Sequence, residues 1–215
     1  MIPLVHDFAG ERVLVFGGGP VGARKARRFA READVVVVSP AFADADFGGA
    51  ARVRAAPDAG AVRAWVERAD PALVVAATDD EAVNDAAVAA ARDAGALANR
   101  ADDHGERGPG EVVVPATVRD DPVVVAVSTG GRSPALSRHL RETVAEAVEG
   151  AGEMARLTGE LREDLQARDV PPAARREAVR AVVRSGEVWK HLDRGRTKAR
   201  QVADDVVSNV TGDTQ

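Results

Sequence analysis

The chain has 215 residues, 45% of them hydrophobic but only 3% aromatic, so alanine and valine must fill most of an interior sized for one main domain and a smaller appended region. It has no cysteine, which excludes disulfides, thiolate metal sites and cysteine nucleophiles. Its net charge of −5 argues against general nucleic-acid binding. No apolar run approaches the roughly 20 residues of a membrane span, and residues 1–7 lack the basic-then-apolar pattern of a signal peptide. A soluble, cytoplasmic protein without membrane or nucleic-acid partners is therefore expected.

Residues 12–99 alternate between two hydrophobic periods. Val13, Leu14, Val15 and Phe16 form a short apolar run ended by glycine, the mark of a buried strand. From Pro20 the period lengthens: Gly22, Ala26, Phe29, Ala30 and Ala33 share one helical face, with Arg24, Lys25, Arg27, Arg28 and Arg31 expected on the others. Residues 35–38 predict a second buried strand and residues 52–55 a weaker third. A helix over about 59–68 carries Trp65 on its core face, and residues 73–77 form a fourth strand ended by Thr78, Asp79 and Asp80. The next helix, over about 81–93, is closed by Gly95, and residues 96–98 lead into Asn99. Strand and helix repeated in this way imply a Rossmann-type α/β fold with a parallel sheet covered on both faces.

The pattern then breaks. Residues 100–111 are polar and glycine-rich. Residues 112–114 and 123–125 are valine runs joined through Arg119, Asp120, Asp121 and Pro122, a connection short enough to predict an antiparallel pair. Ser133 and Pro134 make a good N-cap and first helical residue, after which Leu136, Leu140, Val144 and Val148 recur every four positions as packing residues. From about residue 151 the chain reads as helical, interrupted at Pro171 and Pro172. The expected division is a dinucleotide-binding domain over 1–111, a small α+β region over 112–150 and a helical region over 151–215.

Gly17, Gly19 and Gly22 satisfy G-x-G-x-x-G directly after the first strand and directly before a helix. In that context Gly17 permits the turn, Gly19 lets a pyrophosphate approach the backbone, and Gly22 allows the helix to pack closely. Pro20, Val21 and the helix N-terminus complete an anion-binding end. An NAD site usually carries Asp or Glu at the end of the second strand. Ser39 stands there instead, which neither attracts nor repels a 2′-phosphate, so the choice between NAD and NADP stays open.

Four segments in order carry a resemblance. Residues 17–25, from Gly17 to Lys25, are similar to a GGGxVAxRK signature, with Gly22 where the signature has alanine. Ala76, Ala77, Thr78, Asp79 and Asp80, followed by Asn84, are similar to AATDD…VN, and Asn99, Arg100, Ala101 and Asp102 to N-x-x-D. Residues 125–134, with Ser128, Thr129, Gly130, Gly131, Arg132, Ser133 and Pro134, are similar to VSxGGxSP. The chain thus resembles the precorrin-2 dehydrogenase and siroheme synthase N-terminal domain family. The stretch from Asp102 to Pro115 is a few residues longer than that resemblance leads one to expect.

The resemblance implies an NAD-dependent homodimer that oxidises precorrin-2 to sirohydrochlorin, with metal insertion as a second activity of some members, and with residues 112–150 as the dimerisation region. It implies Asp102 as the acid or base, with Asp103 as the rival if the longer loop shifts the register. Thr78 and Asp79, at the end of a strand, are expected at the cofactor. Asn99, Ser128, Thr129, Gly130, Arg132 and Arg138 are expected at the tetrapyrrole. Arg138 and Arg141 are helical neighbours able to pair with substrate carboxylates, although Glu142 is spaced to pair with Arg138. His6, His104, His139 and His191 show no metal-ligand spacing, so no resident metal is expected. A reading of a different class keeps the phosphate loop but makes the chain a non-catalytic NAD sensor, which has no need of the segments at 99–102 and 128–134.

Overall fold

The computed structural model describes residues 2–101, 108–192 and 194–212. Chain contacts divide them into two units, one ending at Val114 and one beginning at Pro115. In the first unit the predicted apolar runs become five strands: β1 (Arg12–Phe16), β2 (Asp34–Ser39), β3 (Ala51–Arg54), β4 (Leu73–Ala76) and β5 (Leu97–Arg100). All are parallel, in the order β3-β2-β1-β4-β5. Three helices connect them: α1 (Pro20–Phe29), α2 (Ala59–Ala69) and α3 (Glu81–Asp93).

Alternate residues of each strand feed opposite faces, as the two-residue period requires. Leu14, Phe16, Val38, Val74, Ala76 and Ala98 meet Val62 and Val66 of α2 and Val83, Ala87, Ala90 and Ala91 of α3. Val13, Val15, Val35, Val37, Leu73 and Val75 meet Ala23 and Ala26 of α1 together with Phe47. Small alanines on the helices let them lie close to a sheet of valines, which is how so few aromatic residues fill the interior. Trp65 is partly buried against the first of these layers.

The valine run at 112–114 is not a strand of an antiparallel pair, contrary to expectation. Glu111 bridges Ala98 in the parallel sense, and the Val112 amide donates to the Ala98 carbonyl at 2.7 Å, so this stretch lies along β5. The antiparallel partner is instead β6 (Ala116–Asp120), paired with β7 (Val123–Val127) across Asp121 and Pro122. A valine run signals burial, and the edge of the parallel sheet satisfies that as well as a hairpin does.

The second unit continues with α4 (Pro134–Ala147), α5 (Ala151–Ala167), α6 (Pro172–Arg184), α7 (Gly186–Leu192) and α8 (Arg196–Thr211). Leu157, Leu161 and Leu165 of α5 form an apolar stripe that packs on Ala178 and Val182, on Val188, and on Ala199, Ala203 and Val207. Trp189 lies at the margin of this core, its indole N–H donating to the Val183 carbonyl at 2.8 Å. The helix α4 is different. None of its residues is buried, and Leu136 and Leu140 of the predicted stripe are 47% and 37% exposed. Its apolar face is only partly covered by the chain's own hairpin.

Candidate functional site

The phosphate-loop glycines sit where β1 ends between β2 and β4, the point at which the strand order reverses. Ligands of open α/β sheets bind at such a crevice. Gly17 has φ +113°, and a Cβ there would stand 2.2 Å from the Ala77 carbonyl oxygen at the end of β4. One at Gly18 would stand 2.3 Å from the Ala41 carbonyl, and one at Gly22 1.9 Å from the carbonyl of Gly17. The alanine of the family signature at this last position would therefore require the loop to give way. Gly19 is the contrast. A Cβ there would meet nothing within 4 Å. Three glycines thus pack the loop inward while the fourth turns a bare backbone edge outward, beside exposed Pro20 and Val21.

The helix that follows has no side-chain cap and no acidic residue in its first turn. The other two helices of this unit are capped by Asp58 and Asp80. The first-turn amides of α1 and its positive dipole end therefore face outward uncompensated, as an anionic group requires. A dinucleotide diphosphate fits this cradle. Ser39 is 7% exposed, and its Cβ lies 2.8 Å from where a Gly18 side chain would begin, so its side chain is packed behind the loop.

Thr78 and Asp80 take part in an internal network. The Asn84 side chain, 1% exposed, accepts from the Thr78 amide at 3.1 Å and from its hydroxyl at 2.8 Å, and donates to the Thr78 carbonyl at 2.9 Å. Asp80 accepts from the Ala82 and Val83 amides as the cap of α3. The AATDD…VN segment is thus in large part a device that fixes the β4–α3 turn. Asp79, expected at the cofactor, is exposed beside it.

Asn99, expected to touch substrate, is 5% exposed and both ends of its amide are engaged. Its Oδ1 accepts from Lys25 Nζ at 2.7 Å, and its Nδ2 donates to the Val112 carbonyl at 2.7 Å. These two bonds fix the orientation of the Asn99 amide at the end of β5. Lys25 was expected on a solvent face but is half-buried, and burial, reinforced by Arg28 and Arg24, pushes its pKa from 10.5 down to about 8. The clue in the sequence is that Lys25 stands three after Gly22 and four before Phe29, on the margin of the apolar stripe. Asp102, Asp103 and His104 lie outside the described residues.

In the second unit the GGxSP turn is built around Thr129. Its hydroxyl accepts from the Ser133 amide at 3.2 Å, donates to the Ser133 carbonyl at 3.1 Å and lies 2.9 Å from the Ser137 hydroxyl. Gly130 and Gly131 adopt φ of +64° and +81°, which the turn needs and other residues rarely take. Ser133 caps α4 by accepting from the Leu136 amide at 3.2 Å. Thr129 is therefore the hub of the turn. Ser128, Gly130, Arg132 and Arg138 are exposed around it. Glu142 stands 3.5 Å from Arg141, not on Arg138 as its spacing allowed. Among the described residues, no cluster of three His, Asp or Glu is placed to hold a metal, and no helix is long and apolar enough to cross a membrane.

Residues 4–116 match an NAD(P)-binding family model, and residues 120–147 match a model for the central part of sirohaem biosynthesis proteins. The chain is 32% identical to a precorrin-2 dehydrogenase of Methanosarcina barkeri, over 97% of this chain and 94% of that protein. It is 31% identical to siroheme synthase 1 of Aeromonas salmonicida, over 98% of this chain but only 45% of that longer protein. The solved structure of SirC, a precorrin-2 dehydrogenase, has the same fold, with a TM-score of 0.70 at 22% identity, over 96% of this chain and 98% of that one. The chain belongs to the precorrin-2 dehydrogenase and siroheme synthase N-terminal domain family.

Proposed function

We infer that this chain oxidises precorrin-2 to sirohydrochlorin in siroheme or cobalamin biosynthesis, in the cytoplasm, with NAD as the acceptor. The observation that carries the reading is the outward backbone edge at Gly19, set between three inward-packed glycines and an uncapped helix end at the sheet's crossover. Held by the amides after Gly19, NAD would supply a hydride acceptor for a reduced carbon of the tetrapyrrole. The chain's own residues do the rest. The amides following Gly19 hold the diphosphate, Pro20 and Val21 border it, and Thr78 and Asp79 line the adjoining end of β4. Asp102 accepts the proton released as the ring system gains its new double bond, with Asp103 as the alternative if the register shifts.

The substrate is a polycarboxylate, and Arg132 and Arg138 supply charge matched to it from the exposed side of the GGxSP turn, with Ser128 and Gly130 offering neutral donors. Thr129 shapes that turn. A sensor without turnover has no use for this turn. Ser39 neither attracts nor repels a 2′-phosphate, so NADP is tested beside NAD. The test is an anaerobic assay with precorrin-2 generated in situ, following sirohydrochlorin absorbance with NAD and separately with NADP. Product is expected with NAD; folded protein that binds NAD yet yields none with either cofactor would return the sensor reading.

The half-covered stripe of α4, with Leu136 and Leu140 exposed, supports a homodimer packed through this region. Sedimentation equilibrium is expected to give twice the chain mass, and Leu140→Asp to return it to monomer. A wild-type chain that sediments as a monomer at micromolar concentration removes the dimer.

A further inference from the structure

β2 ends on Ser39, without the carboxylate that holds the ribose hydroxyls in a site preferring NAD. The edge strand β3 runs parallel beside it, and the register sets Arg54 next to Ser39, about 4.8 Å away across the sheet. Side chains two apart on a strand share a face. Val36, Val38 and Val53 pack with the layer of α2 and α3, so Ser39, Arg52 and Arg54 belong to the other face, with α1. The phosphate loop touches this same strand end. A Gly18 side chain would begin 2.8 Å from both the Ser39 Cβ and Cδ1 of Phe42, and the Ala43 amide donates to the Gly18 carbonyl at 2.8 Å.

The two arginines of β3 differ in their surroundings. Arg52 lies over the rings of Phe42 and Phe47, 5.8 and 5.6 Å from their centroids. Arg54, nearer the carboxyl end of the sheet, is exposed, and among the described residues no carboxylate is paired with it. Acids close in sequence are engaged elsewhere. Asp34, at the opposite end of β2, is paired with Arg12 at 2.9 Å, while Asp46 and Asp58 accept from the Gly48 and Ala61 amides. Asp44, exposed beside Ala43, is the rival as a partner of the ribose. A guanidinium presents paired N–H groups that suit a phosphate, and Arg54 has no ion pair to give up in doing so.

We propose that Arg54 sets the cofactor preference: it pairs with the 2′-phosphate of NADP at the end of β2, so this chain binds NADP at least as tightly as NAD. This rests on the reading of residues 17–22 as a dinucleotide loop. An arginine near the end of the second strand is how a site of this architecture accommodates that phosphate.

The test is calorimetric titration of the full chain with NAD and with NADP, so that binding is read apart from turnover. In Arg54→Ala the ratio of NADP to NAD affinity is expected to fall roughly tenfold to a hundredfold, the range for a hydrogen-bonded charge. Arg52→Ala, which removes an equal charge two residues away, should move the ratio by less than about threefold. Melting curves establish that each variant is folded. An unchanged ratio in Arg54→Ala, or a fall as large in Arg52→Ala, overturns the proposal. So does wild-type protein that binds NAD but takes NADP more weakly; loss of that preference in Asp44→Ala would give the strand end to Asp44. A folded wild-type chain that binds neither cofactor removes the loop reading itself, which separates the two failures.

Discussion

Gly19→Asp is expected to fold as the native chain does and to bind NAD at least about 100-fold more weakly, close to 2.8 kcal/mol. Both halves of that expectation come from the same geometry. A Cβ at position 19 meets nothing within 4 Å, and φ there is −73°, so the backbone accepts a side chain without strain. The new carboxylate, however, stands where diphosphate oxygens should approach the first amides of α1, and like charges at that range repel. Circular dichroism and a melting curve establish the fold, and calorimetric titration with NAD reads the loss. Undiminished affinity in a folded variant would remove the phosphate-loop assignment. Substitution at Gly17 differs in kind. At φ +113° with the Ala77 carbonyl 2.2 Å away, any Cβ attacks the fold itself, so loss of binding there carries no information about the ligand.

Removing the carboxylate of Asp102 should leave NAD affinity intact and reduce turnover by about 10²–10⁴-fold, the range for a positioned acid or base. The other carboxylates near the strand ends of the dinucleotide unit are largely engaged. Asp80 caps α3 and Asp85 is paired with Arg100, while Asp79 is exposed at the end of β4 and serves as a rival. Asp79→Ala, at a residue assigned to the cofactor, should weaken NAD binding while keeping most of kcat at saturating NAD. Turnover that survives in Asp102→Ala and fails in Asp103→Ala moves the assignment by one residue, whereas failure in Asp79→Ala alone moves it to the end of β4. Single-turnover absorbance changes under anaerobic conditions distinguish these outcomes.

The dinucleotide unit was legible because its signals are local. Apolar runs of four or five residues, a glycine loop and a helical period that begins at Pro20 follow one another along the chain, and each needs only its neighbours to be read. The Ser133 cap was read for the same reason. The valine run at 112–114 was misread because hydrophobicity reports burial and not the partner that supplies it. The hydrogen bonds of Asn99 were not legible because its partners, Lys25 and Val112, are 74 and 13 positions away, and no spacing announces them. Thr78 and Thr129 each carry a motif whose chemistry is largely internal. The internal bonds of these hydroxyls join residues four to eight positions apart, and the motif alone does not announce them.

The distribution of the two tryptophans gives the chain a built-in optical assay. There is no tyrosine, and Trp65 belongs to the sheet-bearing half while Trp189 belongs to the helical half. Replacing either by phenylalanine leaves a single indole fluorophore whose emission follows one half alone. Comparison of the two denaturation profiles then shows whether the halves melt together or in sequence, with no extrinsic label attached.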